Sequence, residues 1–128
     1  MVALGIADDE PDILRLFNIM MGKSGFPIAY MAHDGEEAVD RQRKTPADIV
    51  FLDYCMPFMD GLAASKKILS EFPDTYIFLM TGGEDLKDMV KGLSHITILK
   101  KPFAFRTIVE LLKGHNVPVS KKDKSRQG

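Results

Sequence analysis

Side chains that could bind a ligand or take part in a reaction stand just after four of the short apolar runs in this 128-residue chain. The acidic triplet 8–10 follows the first run, Asp53 the third, Thr81 the fourth and Lys101 the fifth. If these runs are parallel strands of one sheet, their carboxyl ends converge on one edge, where such folds bind ligands. Carboxylates, a hydroxyl and an ammonium group would then share one small site.

Grouped carboxylates indicate a cation site. They repel each other, and without a cation one of them would take up a proton. A hard divalent ion with oxygen ligands removes this conflict, and few protein ligands favour Mg²⁺ over a Ca²⁺ cage. The alternative is that Asp8, Asp9 and Glu10 only stabilise the N-terminus of the following helix, which favours negative charge. Asp53 has no such explanation, because the apolar strand before it does not need a carboxylate.

The same residues suit phosphoryl transfer, which depends mainly on positioning and on neutralising charge. A carboxylate such as that of Asp53 can be a nucleophile toward a phosphoryl group. Lys101 would supply a point charge and Thr81 a hydroxyl donor. Gly82 and Gly83 would let backbone N–H groups approach closely.

Five apolar runs predict the strands that must position these residues. Several are apolar throughout, as expected for strands covered on both faces. The runs are Val2–Ala7, Pro27–Ala32, Ile49–Leu52, Tyr76–Met80 and Ile96–Leu99.

Helical spacing of apolar residues marks the segments between the runs and after the last one. The pattern predicts helices around residues 13–21, 86–93 and 105–112, and Asp34 resembles the N-cap of a further helix over Glu36–Lys44. Alternation of strand and helix five times predicts an α/β fold, with a parallel sheet covered by helices on both faces.

Composition places the chain among single-domain proteins, with 45% apolar and 27% charged residues. Cys55 is the only cysteine, which excludes an internal disulfide and fits a reducing cytoplasm. We expect no signal peptide and no membrane insertion, because the apolar stretches are too short. Residues 118–128 carry four basic residues against one acidic residue. We expect a domain over residues 1–117 and a disordered basic tail.

As a set, the motifs resemble the receiver domain of two-component response regulators. They are Asp8-Asp9-Glu10-Pro11, the block D-Y-C-M-P-F-M-D-G over residues 53–61, Thr81-Gly82 and Lys101-Pro102-Phe103. The resemblance covers residues 2–117. It implies a flavodoxin-like, doubly wound sheet of five parallel strands in the order 2-1-3-4-5, and a Mg²⁺-dependent switch.

The resemblance also implies individual roles. Asp53 would be the phosphoacceptor and a Mg²⁺ ligand, Asp9 would bind Mg²⁺ directly, Asp8 largely through water, and Cys55 through its backbone carbonyl. Lys101 would pair with the phosphoryl group and precede a cis proline, and Thr81 would move toward the phosphoryl group.

Two departures concern the output. An aromatic residue usually stands three positions before the conserved lysine, whereas this chain has Ile98. The stretch from Thr81 to Lys101 is also slightly short for the family.

The expected partners are a sensor histidine kinase or phosphotransfer protein and a downstream protein target, with nucleic acid unlikely for this chain alone. Two alternatives stay open: a receiver cut from a larger DNA-binding regulator, and a Mg²⁺-dependent phosphohydrolase with an aspartyl-phosphate intermediate. Such enzymes usually carry an aspartate two residues after the nucleophile, where this chain has Cys55.

Overall fold

A computed structural model describes residues 2–115. Five strands form one parallel sheet in the order β2-β1-β3-β4-β5, which confirms the expected fold class. The strands are β1 (Leu4–Ala7), β2 (Ile28–Ala32), β3 (Ile49–Asp53), β4 (Tyr76–Thr81) and β5 (Ile96–Lys100). The helices are α1 (Pro11–Lys23), α2 (Gly35–Lys44), α3 (Gly61–Glu71) and α4 (Phe105–Glu110), and a π-helical turn over Leu111–His115 continues α4.

The central strands are apolar throughout because they are buried on both faces. Every residue of β1, β3 and β4 is buried. Helices α2 and α3 cover one face of the sheet and enclose a cluster that includes Leu52 and Leu79. Helices α1 and α4 cover the other face, where Phe17 lies 5.2 Å from Phe51 and Phe51 stacks on Phe78 at 5.0 Å between ring centroids. Two packed layers therefore hold β3 rigidly, and Asp53 is its last residue.

Local signals set the helix starts. Pro11 begins α1, as expected for a residue without a backbone N–H in the first turn. The Asp34 side chain accepts a hydrogen bond from the Glu37 N–H at 2.8 Å, which confirms it as an N-cap. Asp60 caps α3 in the same way, through the Ala63 N–H at 2.8 Å.

The predicted helix over residues 86–93 does not form. This part of the connection between β4 and β5 is built from turns, with hydrogen bonds from the Met89 N–H to the Leu86 carbonyl and from the Leu93 N–H to the Val90 carbonyl. Gly83 and Gly92 have positive φ, so about two helical turns at most remain between them, and so short a helix is marginal. The apolar spacing was still informative, because Leu86 is buried against the core.

None of the helices within residues 2–115 has both the length and the apolar character needed to cross a bilayer. The basic tail over residues 118–128 lies outside the described residues, so its disorder stays a prediction.

Gly61 offers a test of how tightly α3 is set against β3. A Cβ atom at this position would overlap the backbone carbonyl oxygen of Asp53. We expect Gly61→Ala to lower the free energy of unfolding by about 1–3 kcal/mol, because the helix must shift away from the strand. Gly22→Ala is the matched control, since a Cβ there meets nothing within 4 Å and should stabilise α1 by about 0.5–1 kcal/mol. Urea unfolding of both variants measures the difference, and equal stabilisation by the two alanines would contradict the packing argument.

Candidate functional site

The carboxyl ends of β1, β3, β4 and β5 bring the predicted site residues together. Asp53 pairs in register with Met80, and Thr81 with Lys100, so Thr81 stands one residue and Lys101 two residues beyond the level of the phosphoacceptor candidate. The Lys101 peptide bond to Pro102 is cis, as the resemblance implied.

A lysine joins two buried carboxylates at the centre of this cluster. The Lys101 Nζ lies 3.1 Å from Asp53 Oδ1 and 3.5 Å from Asp8 Oδ2. Asp8 is completely buried and Asp53 is 7% exposed. Asp8 also accepts a hydrogen bond from the Glu10 N–H at 2.9 Å, so the acidic triplet is partly organised by its own backbone.

Burial shapes the electrostatics of the three groups. Loss of solvent, reinforced by the charge of Asp8, raises the pKa of Asp53 to about 6. Burial also raises the pKa of Asp8, although the Glu10 N–H and Lys101 oppose the shift. Burial alone would lower the pKa of Lys101, but its contacts with Asp53 and Asp8 raise it above its ordinary value. One ammonium group therefore serves two carboxylates that are both short of solvation.

An additional cation fits this arrangement. The carboxylates of Asp8, Asp9 and Glu10 can each offer an oxygen within 4.8 Å of the others. Asp9 and Glu10 are exposed, and the buried Asp8 links them to Asp53 through Lys101. The donors are all oxygens, which suits a hard ion such as Mg²⁺. Glu10 belongs to this cluster but was absent from the predicted ligand set.

Thr81 and Cys55 are connected by a residue that the sequence analysis did not select. The Thr81 hydroxyl donates to Glu84 Oε1 at 2.6 Å, and the Cys55 thiol donates to Glu84 Oε2 at 3.3 Å. These contacts, the one from Thr81 foremost, lower the pKa of the exposed Glu84 to about 2. The bond to Glu84 raises the pKa of the Cys55 thiol, which disfavours the reactive thiolate. No sequence motif points to Glu84. Its carboxylate reaches Thr81 only because the backbone over residues 82–84 folds back on itself.

The fold and the acidic pocket at the strand ends define a doubly wound α/β domain of the flavodoxin type. The family model for the response regulator receiver domain matches residues 4–113, and the chain belongs to this family. It is a receiver domain of the two-component response regulators, whose members are signalling switches that bind Mg²⁺ at an acidic pocket.

Individual relatives agree with this assignment. The response regulator GtcR of Aneurinibacillus migulanus is 33% identical over 77% of this chain and 40% of its own length. The probable transcriptional regulatory protein TcrX of Mycobacterium tuberculosis is 30% identical over 84% of this chain and 47% of its own length. The chain thus spans less than half of these two relatives.

Solved structures give the same fold. CheY4 of Vibrio cholerae superposes with a TM-score of 0.79 at 26% identity, covering 88% of this chain and 97% of that one. CheY of Borrelia burgdorferi, solved in a complex with CheX, BeF₃ and Mg²⁺, superposes with a TM-score of 0.76 at 27% identity, covering 87% and 86%.

The raised pKa of Asp53 predicts how stability depends on pH in metal-free buffer. Its folded-state pKa of about 6 exceeds the ordinary 3.8, so folding favours the protonated form. That stabilisation is complete below about pH 3.8 and is lost as the pH rises through about 6. We expect Asp53→Asn to raise the free energy of unfolding at pH 7.5 by roughly 1–3 kcal/mol and to flatten its decline between pH 4 and 7.

The measurement is urea unfolding in EDTA at several pH values. Asp74→Asn is the control, because Asp74 is exposed and precedes β4, at the opposite edge of the sheet. An Asp53→Asn protein that parallels wild type at every pH would contradict the electrostatic argument.

Proposed function

We propose that Asp53 accepts a phosphoryl group from a histidine kinase or phosphotransfer protein and that this modification switches a protein-binding surface. The contact that carries the proposal is Lys101 Nζ at 3.1 Å from Asp53 Oδ1 and 3.5 Å from the buried Asp8. It leaves a nucleophilic carboxylate beside a fixed positive charge at the ligand-binding edge of the sheet.

The chemistry is a transfer between a phosphohistidine and a carboxylate. An Asp53 oxygen attacks phosphorus, the O–P bond forms, and the P–N bond to the donor histidine breaks. The histidine nitrogen keeps the electron pair and takes up a proton. Lys101 would stabilise the charge on the phosphoryl oxygens, and the Thr81 hydroxyl would donate a hydrogen bond to one of them.

Asp8, Asp9 and Asp53, with the backbone carbonyl of Cys55, would hold Mg²⁺. The observation that supports this set is the deficit of positive charge: one lysine serves two buried carboxylates, with the exposed Asp9 alongside. Bound Mg²⁺ would neutralise carboxylate and phosphoryl charge.

The proposal makes this chain a switch and not a turnover enzyme. Position 55 is where aspartate-nucleophile phosphohydrolases carry a general acid, and here a thiol of raised pKa donates to Glu84. The proposal also includes a cytoplasmic location, the domain over residues 1–117 and a downstream protein target, with no nucleic acid bound by this chain alone.

A receiver that controls an attached DNA-binding domain is a second candidate. The match to TcrX, a probable transcriptional regulator, over 47% of that protein's length favours it. The reading frame that encodes this chain tests it: a DNA-binding domain downstream of residue 128 would place the output there.

Phosphorylation should depend on Asp53 and on Mg²⁺. Incubation with acetyl phosphate and Mg²⁺ should add one phosphoryl group to wild type and none to Asp53→Asn, because the amide is not a nucleophile. Intact-mass and peptide mass spectrometry locate the adduct. Asp9→Ala should weaken Mg²⁺ binding about tenfold or more in an NMR titration, since a direct carboxylate ligand is lost. Asp12→Asn, in the exposed first turn of α1, is the control for nonspecific charge effects. Undiminished label in Asp53→Asn would refute the assignment.

Activation should move the connection after β4 more than the Ile98 side chain. Ile98 is β-branched and half-buried against the core, so it cannot swing as an aromatic ring would. Residues 82–95 are held by turns beside an open cavity of about 410 Å³ that Thr81 and Ile98 line. With beryllofluoride and Mg²⁺, we expect large backbone NMR shifts across residues 82–93 and nearly unchanged Ile98 methyl rotamers. A rotamer change at Ile98 with a static connection would contradict this route.

A further inference from the structure

The Glu84 side chain spans two elements at the mouth of the site. Its Oε1 accepts the hydroxyl proton of Thr81 at the end of β4, and its Oε2 accepts from the Cys55 thiol in the loop that follows β3. Thr81 is 2% exposed, whereas Glu84 is exposed. The exposed Glu84 carboxylate therefore accepts the hydrogen bond from the Thr81 hydroxyl. This is the buried hydroxyl that, in the proposed function, donates to the phosphoryl group.

A hydroxyl has a single proton to donate. The Thr81 proton cannot serve Glu84 and a phosphoryl oxygen at once. The backbone N–H of Gly83 already donates to Thr81 Oγ1 at 3.3 Å, which orients the hydroxyl within the same turn. Thr81 must consequently release Glu84 before it can report phosphorylation.

Charge acts in the same direction. Phosphorylation of Asp53 replaces the single negative charge of its carboxylate with about two negative charges on the phosphoryl group near neutral pH. Cys55, two residues along the chain from Asp53, donates its thiol proton to the Glu84 carboxylate. Like charges repel, so the added charge disfavours the Glu84 carboxylate at the mouth of the site. The 410 Å³ cavity lined by Thr81, Glu84 and Ile98 offers room for the displaced carboxylate and its turn.

We propose that Glu84 is a positioning residue that competes with the phosphoryl group for the Thr81 hydroxyl and so holds the unphosphorylated state. This inference rests on the proposed role of Asp53 and Thr81 and adds a specific opposing group to it. Release of one carboxylate from two partners on different elements would free residues 82–84 together with Thr81. The Glu84–Thr81 contact thereby couples phosphorylation of Asp53 to the conformation of the connection between β4 and β5.

The test measures the affinity of the full chain for beryllofluoride at saturating Mg²⁺, by NMR titration, for wild type and variants. We expect Glu84→Ala to bind beryllofluoride roughly 3- to 10-fold more tightly, the effect of removing one competing charged hydrogen bond. Glu84→Gln should lie between wild type and Glu84→Ala, because its amide oxygen still accepts from Thr81. Asp85→Ala is the matched control: it removes a neighbouring carboxylate whose Oδ1 contacts the Lys87 N–H and not Thr81. It should change the affinity less than twofold.

A double-mutant cycle separates competition for Thr81 from a general structural effect. In a Thr81→Ala background, Glu84→Ala should improve the affinity less than it does in wild type, because the contested proton is gone and only the charge of Glu84 still opposes binding. An equal gain in both backgrounds, or equal gains for Glu84→Ala and Asp85→Ala, would overturn the proposal. Asp53→Asn is measured in parallel. If it still bound beryllofluoride, the proposed function itself would fail, whereas loss of binding there with wild-type affinity in Glu84→Ala would refute only the role of Glu84.

Discussion

The ammonium group of Lys101 between Asp8 and Asp53 is the interaction on which the rest of the site depends. Buried carboxylates are costly to ionise, and a single lysine compensates them only in part. The result is a pocket in which two inner carboxylates are buried and positive charge is still in deficit. Such a pocket suits a divalent cation and then a phosphoryl group, so this electrostatic imbalance is the basis of the proposed chemistry.

The sheet keeps this imbalance in place. Asp53 ends a strand that is buried on both faces, and on one face that strand packs through Phe51, which stacks on Phe78 and contacts the tilted ring of Phe17. On the other face, α3 begins so close to the Asp53 carbonyl that only glycine fits at position 61. The packed layers thus keep the carboxylates buried, although ionising them there costs free energy. In a more flexible fold the same side chains could rotate outward and be solvated.

The connection between β4 and β5 differs in character from this scaffold. It is built from turns, it has one buried anchor in Leu86, and its Glu84 is bonded back to Thr81. A rigid site that borders a connection with few helical hydrogen bonds can convert a local change of charge into a change of shape. The presence of Ile98 in place of the family's usual aromatic residue fits this contrast between a rigid site and a less regular connection. Its stiff side chain leaves the backbone of the connection as the part able to respond.

The residues alone were enough to predict the strands, the parallel sheet, the Asp34 helix cap, and the convergence of Asp8, Asp53, Thr81 and Lys101 at one edge of the sheet. These follow from apolar periodicity and from the rule that strand ends converge, both of which are local or topological. The fold of the whole chain set the outcome over residues 86–93, where apolar spacing indicated a helix but the segment beside the positive-φ glycines Gly83 and Gly92 forms turns. It alone also placed Glu84 on Thr81 and Cys55, because that contact depends on how the turn folds back in three dimensions and not on any spacing along the chain.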